Sequence, residues 1–217
     1  MSAKKILAGL ALIFGIAGST LTAGAAELGA IGVPTRPAAS PATVIESFHT
    51  ALVDAMRQGP SLGGEARFRK LAPVIDRTFN LPLMTQVAVG PRWSELSAAQ
   101  QAKLVQAFRR FTIANYVNHF DNYDGERFEL QPSTQPIAGG EMVLSRLVLR
   151  GKEPVALNYA MRETNGVWQV VDVYAQGTIS ELARRRSEFG ALLNRSGVDG
   201  LADRLVERAQ TLIDQPA

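Results

Sequence analysis

The chain has 217 residues, 46% of them hydrophobic, 20% charged and 7% aromatic, with no cysteine and a formal net charge of +3. That describes an ordinary globular domain, able to bury roughly 70% of the surface its unfolded form exposes without a disulfide or metal. The absence of cysteine excludes thiol catalysis, Cys-ligated zinc, iron–sulfur clusters and lipid attachment at a cysteine, and two histidines, His49 and His119, are too few for a multi-histidine metal site.

Lys4 and Lys5 precede an uninterrupted small or apolar run from Ile6 to Gly18, followed by Ser19, Thr20 and the triplet Ala23-Gly24-Ala25. This is the pattern of a secretory signal peptide, expected over residues 1–25. The run is too short for a membrane span, which needs about 20 apolar residues. Removing Lys4 and Lys5 with no acidic residue takes the net charge from +3 to +1, so the basic composition is no argument for nucleic acid. Residues 26–40 are rich in Gly, Pro and Ala without periodicity and read as a flexible lead-in to a single domain over residues 41–217.

Order is expected from Ser40-Pro41, a helix cap followed by proline at the first helical position. Val44, Ile45, Phe48, Leu52, Ala55 and Met56 recur at helical spacing until Gly59-Pro60, and a second helix carries Phe68, Leu71, Ala72, Ile75 and Phe79. Asn80 caps a short helix from Pro82 to Val89, closed by Gly90-Pro91. Ser97 with Gln100 forms a capping box for the longest helix, running to about Phe120. Its apolar stripe changes side between Leu104/Phe108/Phe111 and Ile113/Val117/Phe120, which predicts cover on two sides.

From Arg127 the period becomes two. Phe128/Leu130, Met142 to Leu149, Val155 to Met161 and Val167 to Ala175 read as four strands, separated by Gly139-Gly140, Gly151-Lys152 and the hairpin signal Asn165-Gly166. Two helices follow, Ile179 to about Asn194 and Asp199 to about Ile213, parted by Ser196-Gly197. The predicted class is α+β: a four-stranded antiparallel curved sheet with helices packed on one face, cone-like, either filled or enclosing a cavity. Val155, Leu157, Tyr159 and Met161 form its candidate inner row, facing Phe108, Phe111, Tyr116 and Phe120.

Three polar sets could carry chemistry. Arg186 shares a helical face with Leu182, Phe189 and Leu193, and Asp172 lies in an apolar strand; the expected pair is a buried latch, with contact of Arg186 to an anionic head group, or its plain exposure, as the alternatives. Arg184 and Arg185 are expected in solvent. His119, Asp121 and Tyr123 bring a histidine, a carboxylate and a phenol close in sequence, but at the end of the long helix, where a histidine is explained by the macrodipole. His49 is expected half-buried at the edge of the first stripe. No G-x-S-x-G, H-E-x-x-H, P-loop or dinucleotide fingerprint is present, so an enzyme is the weaker class.

Val87-Ala-Val-Gly-Pro-Arg-Trp93, Leu96-Ser-Ala-Ala-Gln100, Phe108-Arg-Arg-Phe111, Val155-Ala-Leu-Asn-Tyr159, Val167-Trp-Gln-Val-Val-Asp172, Gln176-Gly-Thr-Ile-Ser180, Arg186-Ser-Glu-Phe189 and Ser196-Gly-Val-Asp-Gly-Leu201 stand in the order of the periplasmic lipid-carrier family of Mla-type transport systems (MlaC, or toluene-tolerance family), which this chain resembles from about Pro41 to Leu212. It departs from the family at Arg185, where an aromatic residue is common, and at Ala175-Gln176, where an acidic residue often precedes the glycine. Leu71 to Met84 looks more like the branch associated with hopanoid biosynthesis (HpnM), leaving the cargo open between phospholipid and hopanoid.

The resemblance implies a lipid shuttle of the periplasm, an auxiliary component of an ABC transporter in outer-membrane lipid homeostasis. It would work as a monomer between an inner-membrane transporter complex and an outer-membrane complex, touching membranes only transiently, with bound lipid as cargo and no other cofactor. The wall of the lipid pocket would be formed by Met84, Val87, Phe108, Phe111, Tyr116, Phe120, Leu147, Val155, Leu157, Tyr159, Met161, Val170, Ile179, Leu182 and Phe189, with Arg186 and Asp172 as its polar pair. A protein-binding module with a filled core, or a cone-fold isomerase or dehydratase acting on a small apolar substrate, are the alternatives.

Overall fold

The computed structural model describes residues 39–214; the expected signal peptide and most of the lead-in lie outside them. Ser40 caps the first helix, α1 (Pro41–Thr78), its hydroxyl accepting from the Thr43 N–H at 3.2 Å. The axis breaks at Gly63, whose φ of 62° and ψ of 165° are open to glycine. Two helical arms result, as expected, but the break falls three residues beyond Pro60. Asn80 caps α2 (Leu81–Val89), and a 3-10 segment, Gly90–Glu95, follows. The capping box at Ser97 and Gln100 opens α3 (Ala98–His119). α3 packs along α4 (Glu181–Asp214) and against α1 and α2. α4 is itself broken at Gly197, the expected separator.

The sheet has seven strands, not four: β1 (Arg127–Leu130), β2 (Gln135–Ile137), β3 (Gly140–Val143), β4 (Ser145–Val148), β5 (Val155–Thr164), β6 (Val167–Ala175) and β7 (Ile179–Ser180). All pairings between them are antiparallel. The β5–β6 hairpin turns at Asn165 and Gly166, with φ of 52° and 77°, the two positive values a tight two-residue hairpin requires. The apolar run from Met142 to Leu149 divides at Leu144, so that β3 pairs with Tyr159–Met161 and β4 with Val155 and Ala156 of the same long strand. The division has a local cause. Asn158 turns its side-chain carbonyl to the Ser145 N–H at 3.2 Å, and the Ser145 hydroxyl donates to the Leu157 carbonyl, so side-chain bonds take the place of ladder bonds there. The remaining strands are short additions: β2 pairs β3 and β7 pairs β6.

α1 lies across β1, β3 and β6, and α2 and α4 also touch β6, so one face of the sheet is helix-covered. Glycine is required where backbones approach most closely. A Cβ on Gly59 would stand 1.8 Å from the Asp121 carbonyl oxygen, and one on Gly140 1.9 Å from that of Met161.

Under the α1 side of the sheet the core is aromatic. Phe48 meets Phe79, Tyr116 and Tyr159 edge-on, at centroid distances of 5.1, 5.3 and 6.2 Å. His49, expected half-buried, is 5% exposed; it stacks on Phe128 at 4.0 Å, and its Nε2 lies 3.0 Å from the Tyr159 hydroxyl. Burial lowers its pKa to about 3, so it is held neutral.

Candidate functional site

Beyond the end of that aromatic core the helices and the sheet do not meet, and a cavity of about 410 Å³ remains. α3 supplies Phe108, Phe111, Tyr116 and, just past its end, Phe120; Phe79 and Met84 come from the junction of α1 and α2. The sheet supplies Val155, Leu157, Val173 and Ala175, and Ile179 and Leu182 close the wall where β7 passes into α4. The volume falls within the range of small-molecule sites, and the lining has their usual make-up, apolar walls with a few polar groups. Tyr116 and Phe120 stack nearly parallel at 5.8 Å. Burial, and after it Tyr159 and Glu181, raises the pKa of the Tyr116 phenol well above its ordinary value, so it stays a neutral donor.

Met84, Phe108, Phe111, Tyr116, Phe120, Val155, Leu157, Ile179 and Leu182 are thus brought together as expected. Six other residues placed on the wall lie elsewhere. Val87 is on the outer face of α2, 43% exposed. Leu147, Tyr159, Met161 and Val170 are buried in the solid core, where α1 packs on β1, β3 and β6 and its Phe48 and His49 meet Tyr159. Phe189 is buried behind the wall, edge-on to Phe108 at 6.0 Å. The inner row of β5 is therefore divided: Val155 and Leu157 face the cavity, while Tyr159 and Met161 face packed side chains.

The polar pair also differs. Arg186 is exposed, and its side chain lies over Gly90, with Nε 2.9 Å from where a Cβ there would stand. Asp172 instead organises the start of α4. Its carboxylate accepts from the Ser180 hydroxyl at 2.5 Å, the Leu182 N–H at 3.2 Å and the Val173 N–H at 2.8 Å. Burial raises the Asp172 pKa while these three bonds draw it back down.

Of the arginines at the cavity, the most buried is Arg185, for which the sequence predicts solvent exposure. Its side chain is 13% exposed, its guanidinium carbon 4.7 Å from the ring centroid of Phe111, and its Nη1 bonded to Glu188 at 3.0 Å. Burial, and next the charge of Arg184, lowers its pKa. Arg184, Glu181, Glu188, Arg208, Gln176, Thr112, Asn115 and His119 complete the mouth. These were missed because helical periodicity ranks polar residues by their own face, not by what the neighbouring helix leaves uncovered.

His119, Asp121 and Tyr123 each lie against other neighbours. His119 Nδ1 lies 2.8 Å from the Asn115 carbonyl in its own helix, Asp121 is buried beside Gly59, and Tyr123 lies under Arg57 at 5.0 Å. Among the described residues no group of three His, Asp or Glu side chains is placed to hold a metal, and no helix is long and apolar enough to cross a membrane.

Fold and cavity together define an α+β protein whose helix-covered antiparallel sheet leaves an apolar chamber with a charged mouth. The sequence pattern of the MlaC protein family matches residues 46–207, about three quarters of the chain, and the chain belongs to that family. A solved structure of similar fold is the phospholipid-binding protein from Ralstonia solanacearum, determined in complex with a phospholipid. It superposes with a TM-score of 0.70 at 23% sequence identity, over 80% of this chain and 99% of that one, a likeness that speaks for the fold.

Proposed function

We propose that the cavity takes the hydrocarbon part of a lipid, phospholipid or hopanoid, and that the protein is a periplasmic shuttle. In this reading the N-terminal signal peptide is removed on secretion. The mature protein then carries its cargo between an inner-membrane transporter complex and an outer-membrane complex. The observation that carries the proposal is the chamber itself: five aromatic side chains and a set of aliphatic ones surround about 410 Å³, open at a rim of charged residues. Each buried methylene contributes about 0.8 kcal/mol, so an acyl chain or fused-ring skeleton supplies affinity by burial alone.

The cargo is carried, not converted; nothing in this mode of binding calls for a catalytic group. Membership of the MlaC family supports the reading, as does the phospholipid found in the Ralstonia protein of similar fold. The segment Leu71–Met84, on which the resemblance to the hopanoid-associated branch rests, contributes Phe79 and Met84 to the wall, so it bears on the shape of the cargo.

Mass spectrometry of an organic extract of the purified mature protein tests the proposal. Lipid is expected at a sizeable fraction of one molecule per chain, and its class separates phospholipid from hopanoid. Protein repeatedly recovered free of lipid from lipid-rich cells would overturn the carrier reading.

A further inference from the structure

Five charged side chains stand at the mouth of the cavity: Glu181, Arg184, Arg185, Glu188 and Arg208. Four of them are bound to one another. Arg184 reaches Glu181 at 2.6 Å and Glu188 at 3.2 Å, and Arg185 reaches Glu188 at 3.0 Å and Glu181 at 3.9 Å. Both carboxylates are occupied by these two guanidiniums. Arg208 is outside the network and has no carboxylate within 4.0 Å among the described residues. Its guanidinium carbon lies 6.0 Å from the centroid of Phe111, the ring that Arg185 approaches to 4.7 Å.

Two like charges thus converge on one aromatic wall residue, and three arginines face two glutamates. The rim holds one uncompensated positive charge above an apolar chamber. Next to an apolar wall a charge is less screened than in open water, so an anion placed there interacts more strongly. The guanidinium fork also matches the oxygens of a phosphate group.

We infer that the mouth selects an anionic phosphate-bearing headgroup, with Arg208 as the specificity-determining residue; this rests on the lipid-binding reading of the cavity. The hydrocarbon lies within, and the phosphate meets Arg208 beside Phe111 at the rim. A neutral amphiphile with the same chains gains the burial but not the charge contact.

The test uses the mature protein stripped of lipid, with phosphatidylglycerol and diacylglycerol of identical acyl chains as probes and inorganic phosphate as a third. Phosphatidylglycerol is expected to bind about fivefold more tightly at low salt, the scale of one partly exposed charge-assisted hydrogen bond. The preference should shrink as salt screens the contact. Arg208→Gln should bring phosphatidylglycerol down to the diacylglycerol value, with Arg208→Lys falling between. An unchanged circular dichroism spectrum and melting temperature of lipid-free Arg208→Gln show that the fold is intact. Inorganic phosphate is expected to leave the melting temperature of the empty protein unchanged.

Equal binding of the two lipids by the native protein, or a preference that survives Arg208→Gln, would overturn the headgroup inference and leave the cavity reading standing. An Arg208-dependent rise in melting temperature with inorganic phosphate would mark a free-anion site, and would overturn it too. Failure of both lipids to bind would remove the lipid-binding reading, and the inference with it.

Discussion

The Ser180 hydroxyl donates to Asp172 Oδ2 at 2.5 Å, tying the middle of β6 to the first residue before α4. The same serine oxygen accepts from the Ala183 N–H at 2.9 Å, and Asp172 Oδ1 accepts from the Leu182 N–H at 3.2 Å. Two of the N–H groups left open at the start of a helix are satisfied in this way. The starting point of α4 fixes its rotation, and that rotation aims Arg185 at the cavity and Arg186 away from it. Asp172 therefore shapes the mouth without lining it.

Asp172→Ala leaves the Ser180 hydroxyl and the Leu182 N–H without their acceptor. The expected loss is about 1–3 kcal/mol of unfolding free energy, measured by denaturant titration. Asp172→Asn keeps one acceptor oxygen and should lose less. Arg186→Met should stay within about 0.5 kcal/mol of the native protein, as an exposed side chain would. Combined with Asp172→Ala it should be additive, because the two residues share no contact. A double mutant that regained stability would restore the Arg186–Asp172 latch.

His49 gives the fold an acid limit. Its folded pKa is about 3 against an ordinary 6.5, so below pH 6.5 the unfolded chain binds a proton that the folded chain refuses. Stability then falls with decreasing pH at up to about 1.4 kcal/mol per unit across the window from pH 6.5 to 3. His49→Gln retains a hydrogen-bonding group near Tyr159 but does not titrate. The acid limb of its stability profile should be flatter than the native one in this window, and an unaltered limb would mean that His49 is not its source.

Leu157 lines the chamber and Val87 lies on the outer surface. Leu157→Trp puts bulk into space a ligand needs and should sharply reduce co-purifying lipid while the circular dichroism stays native. Val87→Trp adds a similar bulk outside and should leave occupancy unchanged. Equal occupancy in both variants would place the ligand somewhere other than this chamber.

Gly90 has φ of 75° and ψ of −148°, a conformation essentially restricted to glycine, with the Arg186 side chain directly over it. Gly90→Ala should lower stability by about 1–3 kcal/mol through backbone strain. Its calorimetric melting temperature should fall well below that of Gly125→Ala, a glycine of similar φ, 86°, whose added Cβ meets nothing within 4 Å.

What the sequence determined alone is what a few neighbouring residues can satisfy. Ser40, Asn80 and Ser97 cap helices with their own side chains, and Asn165-Gly166 turns a hairpin because the turn's positive φ values need only those two residues. The break at Gly197 and the α+β order follow from the same local logic. Tertiary structure decided the rest, because cavities and mouths are made of distances between elements. The run Met142–Leu149 is uniformly strand-like, and only the reach of Asn158 from β5 to the Ser145 N–H divides it. Val155, Leu157, Tyr159 and Met161 have one phase, yet the last two are packed into the core, Tyr159 against Phe48 and His49 of α1, and the first two face the chamber. Arg185 and Arg186 stand three and four residues after Leu182, on either side of one apolar face. Periodicity favours Arg186, but Gly90 on one flank and Phe111 on the other assign the cavity to Arg185. An amphipathic pattern states which side of an element is buried; what it is buried against, packed side chain or open volume, is settled by the shape of its neighbours.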